Sequence, residues 1–156
     1  MGEERLKMTE QTSREIRSTL GSDGTIQMSI ATVPKPSPSE DEVLIRVEAA
    51  PINPSDLGLL VTFAADQESL SVSGSGDSTV AEMKVHKTIM KAMAPRIGES
   101  LQVGNEGSGV IENAGANAKS LIGRIVGVAG GAMYSEYKCV PAKNCLVMDD
   151  STKPSQ

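Results

Sequence analysis

The sequence contains no tryptophan, one phenylalanine (Phe63) and two tyrosines, Tyr134 and Tyr137. A core must therefore be built from aliphatic side chains and the eight methionines, and methionine specifies packing less sharply than branched residues do. Platforms for stacking nucleic-acid bases are nearly absent, there is no run of Lys or Arg, and the net charge of -5 opposes binding to a phosphate backbone. No nucleic-acid partner is expected. Two cysteines, Cys139 and Cys145, exclude a multi-disulfide framework and read as small, buried, reduced thiols. The single histidine, His86, stands between lysines in Lys84-Val85-His86-Lys87 and reads as a solvated surface residue, so no metal site is expected. No apolar run approaches the ~20 residues that span a bilayer. The first 20 residues lack the apolar centre of a secretory signal and carry too many acids for a transit peptide, so no membrane partner and a cytoplasmic location are expected.

What is present is a series of short apolar segments cut by 15 glycines and eight prolines. Residues 1–24 read as a polar N-terminal extension, with a short helix over Thr12–Leu20 capped by Thr12 or Ser13 and a turn at Gly21-Ser22-Asp23-Gly24. From Thr25, the alternation of Ile26, Met28 and Ile30 with polar residues predicts a half-buried strand. Pro34, Pro36 and Pro38 then force an extended connection. Val43, Ile45, Val47 and Ala49 line one face of the clearest strand, over 42–50, which Pro51 ends. Pro54 can open a helical turn reaching Leu60. Residues 61–100 read as a loop and helical insertion. Its first part, rich in Ser, Gly and Asp, is expected as surface loop, and Val85, Ile89 and Met93 suggest one amphipathic helix or an irregular arm ending before Pro95. Strands are expected again over 108–113, 124–129, 134–140 and 145–148, and 149–156 reads as a tail or interdomain link. The chain is thus expected to be mainly β, a small barrel or sandwich with few short helices.

Two polar motifs follow strand signals. Asn53-Pro54-Ser55-Asp56 is by itself a good turn, with Ser55 or Asp56 able to cap a helix. Asn53 also offers an amide donor and acceptor, and Ser55 a hydroxyl that does both, so the pair could orient a carbonyl without carrying charge. Gly104-Asn105-Glu106-Gly107-Ser108-Gly109 has the order G-x-x-G-x-G and leads into a strand, whereas a dinucleotide loop reads G-x-G-x-x-G and opens a helix. It reads as a tight turn in which glycines permit close backbone approach.

In order, the strand before Asn53-Pro54-Ser55-Asp56, the segment Gly104-Asn105-Glu106-Gly107-Ser108-Gly109-Val110-Ile111, Leu121-Ile122-Gly123-Arg124-Ile125-Val126 and Gly131-Ala132-Met133-Tyr134-Ser135-Glu136-Tyr137 resemble the catalytic domain of zinc-less medium-chain dehydrogenase/reductases of the quinone-oxidoreductase type. The resemblance covers about residues 25–148 and implies a GroES-like, partly open β-barrel. In zinc-dependent relatives a Cys and a His occupy the two motifs; here Asn53 and Asn105 stand there, and neutral amides are poor zinc ligands. The resemblance implies transfer of a hydride from NADPH to a quinone or enone. Asn53 would orient nicotinamide or substrate, Ser55 would support a polar relay, and Gly130, Gly131 and Tyr134 would line the cofactor cleft.

The sequence departs from that pattern in three places. A Tyr that commonly follows the Asn-containing motif is replaced, with Gly58 in about its position. The segment between the motifs is long. After Met148 only eight residues remain, where a nucleotide-binding βαβ unit needs ~30. The expectation is a catalytic domain without its cofactor domain, inactive alone, with a protein-binding barrel as the alternative and homodimerisation allowed.

Overall fold

The computed structural model describes residues 11–62, 65–149 and 151–154. Ten strands form two five-stranded sheets in which every strand pair is antiparallel. The first sheet runs in the order β4 (Ala65–Ser73), β5 (Val80–Val85), β2 (Thr25–Pro34), β1 (Thr12–Leu20), β6 (Ser100–Gln102). The second runs β10 (Cys145–Val147), β8 (Ile125–Ala129), β7 (Glu106–Ala114), β3 (Glu42–Ala49), β9 (Tyr137–Pro141). One seven-residue helix, α1 (Pro54–Leu60), follows β3. The mainly β expectation holds, and so do the strands beginning at Thr25, Glu42 and Cys145.

Three local expectations are corrected. Thr12–Leu20 is not a helix: all nine residues pair with β2, from Thr12↔Pro34 to Leu20↔Ile26. Its buried positions include Ser13 and Glu15 on one face and Ser18 on the other, so the usual apolar alternation is missing from the sequence. The loop expected after residue 65 is strand β4 as far as Ser73, and the first part of the expected helix is strand β5. Beyond Val85 the chain makes 3-10 turns at Lys87–Ile89 and Ala94–Arg96. Spacing at 85, 89 and 93 looked helical because those side chains do converge, with Val85 buried and Ile89 and Met93 packed against it, but the turns bring them there.

Two cores result. Val43 and Ile45 from β3 meet Ile111, Val126, Val128 and the fully buried Met133, and this cluster fills the second sheet's inner face. Removing a side chain such as Ile45 there would cost about 2–5 kcal/mol in lost burial and cavity. A smaller cluster of Leu20, Ile26 and Val85 is sealed by Met83, Met90 and Met93, the adaptable residues that composition pointed to. The segment before β9 joins the sheets: Ile16 N–H donates to Tyr134 O at 2.8 Å, Glu136 N–H to Arg14 O at 2.9 Å, and Val47 N–H to Glu136 O at 2.9 Å. That junction places residues 130–136 against the start of β7 and the end of β3.

Candidate functional site

Asn53 is the residue before α1, with extended backbone (φ -94, ψ 158), and Pro54 supplies the pre-set first position of the helix. The expected cap at Ser55 or Asp56 falls instead on Asn53: its backbone N–H donates to Asp56 Oδ2 at 2.8 Å, while Asp56 N–H donates to Asn53 O at 2.9 Å. Asp56 has no exposed surface. Its other oxygen, Oδ1, accepts the backbone N–H of Asn105 at 2.8 Å. Burial alone would push this carboxyl up, but the N–H groups of Asn53 and Asn105 and the Tyr134 hydroxyl outweigh it and hold Asp56 below the usual carboxylate range. One ionised, buried carboxylate thus staples the two motifs together.

Their side chains meet as well. Asn105 Nδ2 donates to Ser55 Oγ at 3.2 Å, and Asn53 Nδ2 donates to Glu106 Oε2 at 3.3 Å. Tyr134 O–H donates to the carbonyl of Pro51 at 2.8 Å. Burial, then the neighbouring Asp56 charge, raises the Tyr134 phenol, so it stays protonated and a donor at neutral pH. The 130–134 turn closes on the same place: Gly130 and Gly131 N–H both donate to Asn105 O, at 2.9 and 3.1 Å, and Met133 N–H to Gly104 O at 3.1 Å. All five residues expected at the site, Asn53, Ser55, Gly130, Gly131 and Tyr134, therefore surround the Gly104–Asn105 turn.

The glycine motif acts through close approach. Gly104 has φ +95, and a Cβ there would lie 2.6 Å from Tyr134 N. A Cβ on Gly109 would lie 2.1 Å from the Arg46 carbonyl on β3. No phosphate cradle is left: the space beside these glycines is filled by the protein's own chain, and the N–H groups of Gly130 and Gly131 are already engaged. Beside the polar cluster lies a cleft of about 400 Å³, lined by Ala49, Ala50, Pro51, Ile125, Met148 and Pro154 together with Glu106 and Ser108. Ser108 Oγ donates to Pro154 O, which brings the 151–154 segment along one side of the cleft.

At the level of sequence, no family model and no curated protein matches the chain. Solved structures do. A quinone oxidoreductase from Coxiella burnetii aligns over 94% of this chain and 40% of its own, with TM-score 0.58 and 18% identity. A proposed NADPH:quinone reductase from Bacillus thuringiensis aligns over 92% and 35%, with TM-score 0.60 and 23% identity. The fold these structures share with the chain is a GroES-like barrel. A mycobacterial protein solved in complex with NADPH shares it over 91% of this chain and 34% of its own, with TM-score 0.52 and 21% identity. The chain spans 34–40% of the length of these three structures.

In this GroES-like barrel the sequence had not singled out three members of the site. Glu106 is the acceptor that orients Asn53, and Asn105 was noted only as a replacement for a metal ligand. Asp56 read only as a helix cap, because nothing local reports that an acid will be buried under a turn 49 residues away. Among the described residues no group of three or more His, Cys, Asp and Glu side chains is arranged to hold a metal, and no helix is long and apolar enough to cross a membrane. His86 is exposed, with Nδ1 2.9 Å from Thr88 Oγ1. Cys139 and Cys145 are free and half-buried.

Proposed function

We propose that this chain is the substrate-side barrel of a zinc-independent, NADPH-dependent reductase of quinones or enones, and that it is inactive without a nucleotide-binding partner domain. The observation that carries the reading is the meeting of Asn53, Ser55, Asn105 and Glu106 in one hydrogen-bonded cluster, of which Glu106 also lines the neighbouring cleft. The GroES-like fold supports the reaction class, and the amides at 53 and 105 support zinc independence, because amides bind Zn²⁺ poorly beside thiolate and imidazole.

NADPH, when bound, supplies the hydride. Asn53, with its amide oriented by Glu106, is the group that would meet the nicotinamide end, and Gly130, Gly131 and Tyr134 would border it. Every strand pair here is antiparallel, and among the described residues there is no βαβ unit to hold a pyrophosphate, so this chain would grip only one end of the cofactor. Ser55 Oγ accepts from Asn105 and keeps its own hydrogen to donate to a substrate oxygen as negative charge develops there.

The test is direct. The purified chain, given NADPH and 1,4-benzoquinone, should oxidise no NADPH above the protein-free rate, while quinone titration should shift the backbone amide resonances of Asn53, Ser55, Asn105 and Glu106. Robust NADPH oxidation would overturn the predicted inactivity. Quinone-induced shifts confined to other parts of the barrel would overturn the site.

A further inference from the structure

Helix α1 carries Ser55 and Asp56, yet no apolar face docks it. Asp56 is its only buried residue, and Leu57 and Leu59 are 43% and 37% exposed. Surface helices are ordinarily held by an apolar stripe. Polar bonds hold this one at both ends. Asp56 pins the first turn. One turn on, Arg96 Nη2 donates to Leu59 O at 2.6 Å and to Ser18 Oγ at 2.5 Å, and Ser18 Oγ donates to Leu60 O at 2.6 Å. A cation suits a helix C-terminus, and α1 has no basic residue in its own last turn.

This clamp is more than an exposed helix end needs, since water can satisfy the last carbonyls. Arg96 Nε is buried and meets no acceptor among the described residues, and burial lowers the guanidinium with no acid there to offset it. Just past the helix, the buried Thr62 holds φ +59, a left-handed backbone that β-branched residues rarely adopt. Such strain persists only where the surroundings impose it. The mount is firm as well: Arg96 N–H donates to Met93 O and Gly98 N–H to Leu20 O, both at 2.8 Å, which ties the Arg96 turn to the end of β1.

We propose that Arg96 is a positioning residue for the site: with Ser18 as its relay it fixes the direction of α1, and so holds Ser55 Oγ against the Asn105 amide and toward a substrate oxygen. Asp56 alone pins the helix at one point, about which it could turn. The second pin, at Leu59 and Leu60, lies about one turn along and removes that freedom. The long segment between the two polar motifs thereby reaches back to brace the first of them. The substrate part of this role rests on the proposed function; the bracing of Ser55 against Asn105 does not.

The experiment is nuclear magnetic resonance on the full 156-residue chain. In ligand-free Arg96→Ala, the side-chain amide resonances of Asn105 should move as its bond to Ser55 Oγ opens. The same variant should bind 1,4-benzoquinone roughly tenfold more weakly, the worth of about one hydrogen bond, read from the Ser55 and Asn105 backbone amides. Arg96→Lys, whose ammonium can donate to both Leu59 O and Ser18 Oγ, should restore both readouts. Ser18→Ala breaks the relay to Leu60 and should move the Asn105 resonances in the same direction, which carries the test if Arg96→Ala does not fold. Val140→Ala, a cavity made on β9 in the larger core, destabilises the barrel by another route and should leave those resonances in place. Asn105 resonances that stay put in the folded Arg96 and Ser18 variants, or that move as far in Val140→Ala, would overturn the proposal. A parent chain whose Ser55 ignores quinone would sink the substrate reading alone, and the ligand-free resonances would still decide the role of Arg96.

Discussion

The carboxylate of Asp56, on the only helix described, accepts the backbone N–H of Asn105 at 2.8 Å, and its second oxygen accepts that of Asn53 at the same distance. Two polar turns far apart in sequence are thereby fixed against each other by one fully buried side chain. Replacing Asp56 with Ala leaves two buried N–H groups without an acceptor. The expected loss is about 3 kcal/mol of unfolding free energy, read by urea denaturation. Asp56→Asn keeps one acceptor oxygen and should lose less.

The same carboxyl sets part of the acid stability. Its folded-state pKa lies below the unfolded reference of 3.8. Its stabilising contribution is therefore complete above that reference and is lost as pH falls through the folded value. Denaturation midpoints followed from pH 7 downward should fall less steeply in Asp56→Asn below about pH 4 than in the parent. Parallel curves would show that Asp56 titrates alike in the folded and unfolded chain.

Glycines 109 and 127 make a matched pair. A Cβ on Gly109 would meet the Arg46 carbonyl at 2.1 Å, whereas a Cβ on Gly127 meets nothing within 4 Å. Gly109→Ala should cost about 3 kcal/mol or prevent folding, because β3 and β7 must separate to admit it. Gly127→Ala should be neutral or stabilise by up to about 1 kcal/mol. Thermal melts of both variants check the contrast.

The thiols should be sluggish. Burial, then the charge of Glu42, pushes Cys139 up to about 11, and burial also raises Cys145. Since the thiolate is the reactive form, both should react with a disulfide reagent at pH 8 far more slowly in the folded chain than in denaturant. Linkage runs the other way from Asp56: stability tied to Cys139 is complete below its unfolded value of 9.0 and is lost as pH rises through about 11.

The proposed zinc independence is open to reversal. Asn53 and Asn105 flank one carboxylate, so Asn53→Cys combined with Asn105→His should bring a thiolate and an imidazole to the same small region. Calorimetry should find Zn²⁺ bound at least tenfold more tightly than by the parent. Equal affinities would show that the two positions do not converge as ligands.

Much of the barrel could be read in the chain because the signals were local. Val43 and Ile45 alternate with polar neighbours, Pro51 ends their strand, and Pro54 opens α1, each through short-range sterics and burial. The family resemblance carried by the four ordered segments implied one cleft for Asn53, Ser55 and Tyr134, and hydrogen bonds gather them around the Gly104–Asn105 turn. Tertiary structure alone decided the rest. Strand β1 buries the polar Ser13, Glu15 and Ser18 on its two faces, and only its pairing with β2 and β6 makes a strand of a segment without apolar alternation. Strand β4 has no buried residue to give it a period, so its partner β5 defines it. Asp56 became the centre of the site because two N–H groups from distant turns can compensate a buried charge, and no short window of sequence contains both.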